Sequence, residues 1–453
     1  MNRPLALVLA AVALALVAAD RPSSVTLTYP DGSTVVYVPG GVLTPVPTTP
    51  PVPVPATLPT TDPNVVLVAP GQSWVAAVRA ARPGQTVRLP AGEVREPLTD
   101  TTVRPAAGVT IDGTGTTLRV PKGPAVVAWC WERVTIKGLR VVADDPADQA
   151  GVRLYQARGV TLDGCAVTGF AKGLTTEAAG DGPAQRGDGV RLLNCDFSGN
   201  SARGGTYPDR TGKPQRVVSA GVYASRTDRL EVRGCRFADC GWLAGVFAGT
   251  EFNHALYLAG DCGPARVVGN VFARPSSHGL QLRCGGDATD NLFVDCPIGL
   301  SFALVNGEGP LPVGGCSGTV ARNLFVGTRL LAGSPRGWAI EVGDNVLSAT
   351  VTGNEVLIPV AAAPPTRGQA VAAIKVDVGA LSEKNPFKGK GLRAVRDLTV
   401  SDNAVTHFAG PLWVHKDVAA KAKLRSAGTR LVTQTEWPAA DPNVEAAARA
   451  RAR

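Results

Sequence analysis

The chain has 453 residues, 18% of them charged and only 5% aromatic, with 52 glycines and 36 prolines. So few helix formers among so many turn residues argue against a helical protein and for a β-rich, turn-rich one. The formal net charge of +9 favours acidic partners. The partners expected are acidic polysaccharide or an anionic cell surface, with no nucleic acid, and the chain itself is expected to be a monomer.

The first 19 residues read as a signal peptide. "MNRP" supplies the positive start, Leu5–Val17 is an unbroken apolar stretch, and Val17-Ala18-Ala19 offers small residues for cleavage near Ala19. The stretch is short for a membrane span, no cysteine follows it, and no later segment is apolar over comparable length. A soluble protein is expected, secreted, periplasmic or at the cell surface. Residues 20–43 contain "VTLTYPDGSTVVYV" (25–38), two β-runs around a Pro-Asp-Gly-Ser turn, which predicts a hairpin. Residues 44–63, "TPVPTTPPVPVPATLPTTDP", form a proline-rich extended linker.

The main domain is expected over 64–416. It opens with "GQSWVAAVRAARPGQTVRLPAGEV" (71–94), in which Trp74, Val75, Val78 and Ala81 share one helical face. Pro83-Gly84 stops the helix, and a strand at Val87–Leu89 runs into a turn at Pro90-Ala91-Gly92. A motif then recurs, as in "VTIKGLRVV" (134–142), "VTLDGCAVT" (160–168), "RVVGNVFA" (266–273), "TVARNLFV" (319–326) and "TVSDNAVT" (399–406). One position in it reads Leu139, Cys165, Cys195, Cys235, Asn270, Asn291, Asn323, Asn354 and Asn403. Self-similarity at this spacing is the mark of a solenoid, and period-2 apolar alternation makes its elements strands. Stacked coils would line these residues up as an Asn ladder continued by buried thiols. Nine cysteines leave at least one unable to pair within the chain. Cys262, Cys284 and Cys316 also recur in register, with disulfide pairing left open.

The helix–turn–strand opening resembles the N-terminal cap of right-handed parallel β-helix proteins of the pectin lyase-like superfamily, and the Asn column is also familiar there. The resemblance spans about residues 64–416. It implies an all-β, right-handed parallel β-helix with an N-terminal capping helix, preceded here by the hairpin and the linker. Residues 417–453 are then a C-terminal tail with a short basic helix.

A second repeat includes "GVRLYQ" (151–156), "GVYASR" (221–226), "HALYLA" (254–259), "HGLQLR" (278–283), "IGLSFA" (298–303), "WAIEVG" (338–343) and "AAIKVD" (372–377). Alternation puts Val222, Leu256, Leu280, Ile340 and Ile374 inside, and therefore Arg153, Tyr223, Tyr257, Gln281, Ser301, Glu341, Lys375 and Trp413 in one outward line. Tyr155, Ser225, Ala259, Arg283, Ala303, Gly343, Asp377 and His415 form a parallel outward line. His254 and His278 share parity with the inward leucines unless a corner turns them out. Long loops expected at 169–189, 199–219 and 361–370 would wall this face. It is either a substrate groove or a solvated polar surface.

An acidic-polysaccharide lyase needs a cation for the sugar carboxylate, a base and an acid. Tyr257, Arg283 and Lys375 are the right types, with Gln281, Tyr223, His278 and His254 as substrate-binding candidates. An inverting hydrolase would instead use Glu341 and Asp377, roughly 8 Å apart by strand and coil spacing. A surface ion pair of Lys375 with Glu341 explains those two residues equally well. No metal motif is present and no cofactor is expected, although calcium on loop aspartates remains open. The rival to an enzyme is a non-catalytic adhesion or structural module.

Overall fold

The computed structural model describes the strands Val25–Thr28 and Thr34–Tyr37 and residues 62–431. Within 62–431 it leaves out 203–205, 209–213, 304–311, 329–336, 358–371, 377–394, 406–409, 415–422 and positions 181, 247 and 313. The expected signal peptide, nearly all of the linker, Asp377, His415, the 361–370 loop and the tail beyond 431 lie outside the described residues. Met1–Asp62 and Pro63–Arg453 are separate compact units. In the first, Val25–Thr28 pairs antiparallel with Thr34–Tyr37, Val25 opposite Tyr37.

The second unit is a stack of coils. Among the described residues each mature coil gives one strand to each of three sheets, and the strands within each stack are parallel. In one coil these are His278–Leu282, Gly286–Thr289 and Leu292–Cys296, and the next coil begins at Ile298–Phe302. The sheets hold 12, 13 and 7 strands. The 12-stranded one, which carries the candidate site, is called the site sheet below. At its start the helix Trp74–Ala80 is capped by Ser73, whose Oγ accepts from Ala76 N at 3.0 Å. The helix buries Trp74 and Val78, and Trp74 Nε1 donates to Glu96 O at 2.7 Å.

The turn from the second sheet to the third is built identically in successive coils. Gly269, Asp290, Arg322, Gly353 and Asp402 each take φ between 54° and 66° immediately before Asn270, Asn291, Asn323, Asn354 and Asn403. That left-handed step favours Gly, Asn and Asp. Arg322 is held there by two bonds to Asp290 of the preceding coil, both 2.8 Å. Each asparagine then serves the coil before it: Asn291 N and Nδ2 donate to Asn323 Oδ1 at 3.0 and 2.9 Å, and Asn323 N and Nδ2 to Asn354 Oδ1 at 3.0 and 2.9 Å. The thiols continue the pattern with a softer acceptor. Cys235 N donates to Asn270 Oδ1 at 2.8 Å, and Cys195 N to Cys235 Sγ at 3.4 Å. Cys165, Cys195, Cys235, Cys262, Cys284 and Cys316 are buried and none is in a disulfide.

Beside this column Phe197, Phe237, Phe272, Phe293 and Phe325 stack along the axis, with centroids 4.6 to 5.5 Å apart. Both columns exist because parallel coils place equivalent residues directly over one another, one strand spacing apart.

Two features depart from the sequence reading. Ala166–Glu177 is a strand of the site sheet, where a loop was expected from residue 169. Its alternation is masked by threonines. Thr176 points inward yet is satisfied, its hydroxyl 2.9 Å from that of Thr227. The stack also runs past residue 416, since Lys423–Ala427 pairs with Asp397–Ser401, and Arg430–Leu431 with Ala404–Val405.

Replacing Asn323 with Leu should strip acceptors from Asn291 and leave Ala288 O, which accepts from Asn323 Nδ2 at 2.9 Å, without its bond. Unpaired buried groups of this kind cost about 1–3 kcal/mol each. The variant's unfolding free energy is expected to fall by at least the lower figure, read as a lower denaturant midpoint, and an unchanged midpoint contradicts the column's role.

Candidate binding face

The site sheet breaks the simple alternation of its strands. In six of its strands two consecutive positions face inward, and the first is small: Gly221, Ala255, Gly279, Gly299, Ala339 and Ala373. A Cβ on Gly279 would lie 2.8 Å from Phe293 Cδ1 and 2.7 Å from Gly299 O, so this position lies against the phenylalanine stack. The residue before it is thereby turned to the outer face. Lys172, His254, His278 and Trp338 occupy that outward column. Their contacts agree: His254 stacks on Tyr257 at 5.2 Å, Lys172 Nζ lies 5.7 Å from the Tyr223 ring, and Lys375 Nζ lies 4.4 Å from the Trp338 ring. The histidines therefore take the corner alternative rather than the inward one.

Next to them runs the column Arg153, Thr175, Tyr223, Tyr257, Gln281, Ser301, Glu341 and Lys375, in register from coil to coil. A third column carries Trp129, Tyr155 and Glu177, then Ser225, Ala259 and Arg283. Tyr223 and Tyr257 are stacked at 5.3 Å and half-buried, and the Arg283 guanidinium carbon lies 5.2 Å from the Tyr257 ring. With its amide oxygen toward Arg283, Gln281 accepts from Nη2 at 3.1 Å and Nε at 3.3 Å. Trp129 and Tyr155 form a second stacked pair at 4.0 Å.

The expectation of one solvent-facing stripe is corrected by burial. Gln281, Ser301, Glu341 and Lys375 are 2%, 0%, 3% and 6% exposed. Ser301 Oγ donates to Glu341 Oε2 at 3.1 Å, and Lys375 Nζ meets Glu341 Oε1 at 3.3 Å. The pair is thus a buried ion pair rather than a surface one. Trp338 from the outward column stands beside it and replaces water with an aromatic ring, which a strict alternation of the strand cannot anticipate. Tyr257, Arg283, Gln281, Tyr223, His254 and His278 come together over adjacent coils, whereas Lys375 and Glu341 lie farther along the axis. Asp377 and the Trp413 side chain are outside what the structure describes. The sequence reading missed Lys172, Thr175 and Glu177, all on the strand it took for a loop, and Trp129. Only the threonine-laced alternation of "AKGLTTE" signalled the first three.

Electrostatics sort these groups. Burial, with the Arg283 charge adding to it, holds His254 down to about 3, so its ring is neutral across ordinary pH. Its Nδ1 lies 3.2 Å from His278 Nδ1, which is 3.0 Å from Ser277 Oγ. Burial raises both tyrosines, so their phenols stay protonated. Burial lowers Lys172, against the opposing pull of Glu177. Among the described residues no group of three or more His, Cys, Asp or Glu side chains is placed to hold a metal ion, and no helix is long and apolar enough to cross a membrane.

Parallel strands stacked in three sheets, a coil-to-coil amide column and the interior aromatic stack define the architecture, and residues 125–325 match the family described as "Right handed beta helix region". The protein is a right-handed parallel β-helix. No curated protein matches the chain. Among solved structures, the β-helix is similar to the tailspike protein of E. coli bacteriophage HK620 in complex with pentasaccharide. The TM-score is 0.40 at 15% identity, covering 76% of this chain and 58% of the tailspike, under two thirds of its length. It is similar to the A-module of Azotobacter vinelandii mannuronan C-5 epimerase AlgE4, with TM-score 0.43, 13% identity, and 79% and 94% covered. PfbA, a surface adhesin of Streptococcus pneumoniae, gives TM-score 0.45 at 12% identity, with 79% and 87% covered.

The neutral state of His254 has a measurable sign. Its folded value lies below the unfolded value of 6.5, so its contribution to stability is complete above the unfolded value and is lost as pH falls through the folded one. His254→Phe keeps an aromatic ring against Tyr257 and removes the titration. Between about pH 6 and 4 the wild type should lose stability faster than the variant, by up to about 1.4 kcal/mol per pH unit. Parallel pH profiles contradict the buried neutral ring.

Proposed function

We propose that this β-helix is an exported protein that binds acidic polysaccharide on its site sheet and cleaves it by elimination. The observation that carries the reading is the stacked Tyr223–Tyr257 pair with a cation at each end, Lys172 over one ring and Arg283 over the other. Half-buried aromatic rings offer flat apolar area to a sugar ring while their hydroxyls stay hydrogen-bonding. Arginine adds a fork that matches a carboxylate with two charge-assisted bonds. A flat, fully solvated face would favour a purely structural module, whereas half-buried tyrosines set between two cations favour a ligand-binding face.

In the elimination, Arg283 neutralises the sugar carboxylate and makes the adjacent C–H acidic. Solvent base takes that proton, the C–O bond of the leaving sugar breaks, and its oxygen takes a proton from Tyr257, while neutral His254 backs the Tyr257 ring. A C=C bond remains in the product. Glu341, already engaged by Ser301 and Lys375, is less suited to the hydrolytic pairing with Asp377. An anionic cell surface coated with such polymers is the expected setting.

The test is a screen of pectate, alginate and heparin for binding and for the ultraviolet absorbance of unsaturated products. Arg283→Ala should weaken binding roughly 30-fold, about 2 kcal/mol, and abolish product. Arg283→Lys should lie between, and Arg283→Ala should also lower the melting point modestly, because buried Gln281 loses the bonds it accepts from Arg283. Binding without product leaves the adhesion reading; no effect of either variant on binding removes Arg283 from the site.

A further inference from the structure

On the strand that had read as a loop, Thr175 sits in the outward column between Arg153 and Tyr223. It is 5% exposed, and its hydroxyl oxygen has no hydrogen-bond partner. A buried hydroxyl left unpaired is unfavourable unless something supplies the missing bond. The inward-facing Thr176 beside it shows the ordinary solution, since it bonds Thr227. Thr175 faces outward instead, where two cations stand next to it. Arg153 is its in-register neighbour and is exposed, and Lys172 reaches over the Tyr223 ring. Both act on the same space, for the Arg153 charge disfavours the Lys172 proton while Glu177 holds it in place. Two cations against the one Glu177 carboxylate leave a net positive charge, and beside a hydroxyl that lacks a partner this is the complement of an oxyanion such as a carboxylate or sulfate.

We propose that Arg153, Lys172 and Thr175 form a second anion subsite for the same polysaccharide, at the far end of the tyrosine pair from Arg283. This rests on the acidic-polysaccharide reading above and adds a length requirement to it. From Thr175 the column passes through Tyr223 and Tyr257 to Gln281, which bonds Arg283. Three coil steps separate the two cationic ends, roughly 14 Å along the axis. A ligand that uses both ends carries acidic groups on sugars separated by intervening residues, with the tyrosines under the stretch between. A short fragment reaches only one end, so affinity rises with chain length because the second contact is made within an already bound molecule.

The experiment titrates the full chain with the disaccharide and the hexasaccharide of whichever polymer among pectate, alginate and heparin binds best. The wild type should bind the hexasaccharide more tightly. Lys172→Ala and Thr175→Val should each lower that affinity about tenfold, and Thr175→Val should leave disaccharide affinity unchanged. Thr175→Ser, which keeps the hydroxyl, should retain the wild-type value. Unchanged hexasaccharide affinity in Thr175→Val and Lys172→Ala, with Arg283→Ala still weakening it, overturns the second subsite alone and leaves a merely hydrated threonine. Loss in Thr175→Ser equal to that in Thr175→Val assigns the residue to packing and also overturns it. If none of the three polymers binds the wild type, the underlying reading fails and takes the subsite with it.

Discussion

The constraint on which this structure depends is the pair of consecutive inward positions in the strands of the site sheet that carry the candidate site. A strand with strict alternation presents every second residue to solvent. Here a column of Gly and Ala lies against the stacked phenylalanines, and the following column of Val, Leu and Ile packs inward as well. The close approach is possible only because the first of the two positions has little or no side chain. Its consequence is geometric. The residue before the small one is turned outward, so the outer face gains a third column, and Lys172, His254, His278 and Trp338 stand beside the tyrosines and charged groups. Without that turn the histidines would lie in the core, and Tyr257 would have no imidazole against it.

The added column also explains why the two halves of the face differ. Around Lys172, Tyr223, Tyr257 and Arg283 the rings are half-buried and the cations lie against aromatic faces, an arrangement that leaves charge available to a ligand. Around Trp338 the face closes. Glu341 and Lys375 are removed from water and satisfied by each other and by Ser301. Desolvating such a pair offsets much of its Coulomb attraction, so it adds little net stability, whereas removing one partner leaves a buried charge. The pair is best understood as fixing the end wall of the face.

Much of the fold was legible in the sequence because a solenoid writes its period into the chain. The Asn and Cys positions, the inward Leu and Val columns and the opening helix all follow from residue type and spacing. What escaped has a physical reason in each case. The Ala166–Glu177 strand is concealed by threonines whose hydroxyls are paired by tertiary contacts, or left facing outward, where local pattern is blind. Burial of Gln281 and Glu341 depends on neighbours from other coils, and parity gives the direction of a side chain but not what stands over it. The outward turn of His254 was open at the sequence level because the Gly/Ala column reads as ordinary strand until the phenylalanines are seen behind it. Tyr223, Tyr257 and Arg283 were legible as a group, since alternation alone brings them to one face.

The measurement that tests this account most directly is a crystal structure of the protein with the tightest-binding acidic hexasaccharide. The account predicts sugar rings over Tyr223 and Tyr257, running along the helix axis, with one acidic group at Arg283. Density for the sugar on another surface, such as the outer face of the 13-stranded sheet where Arg191, Arg233 and Arg266 surround Glu231, would contradict it.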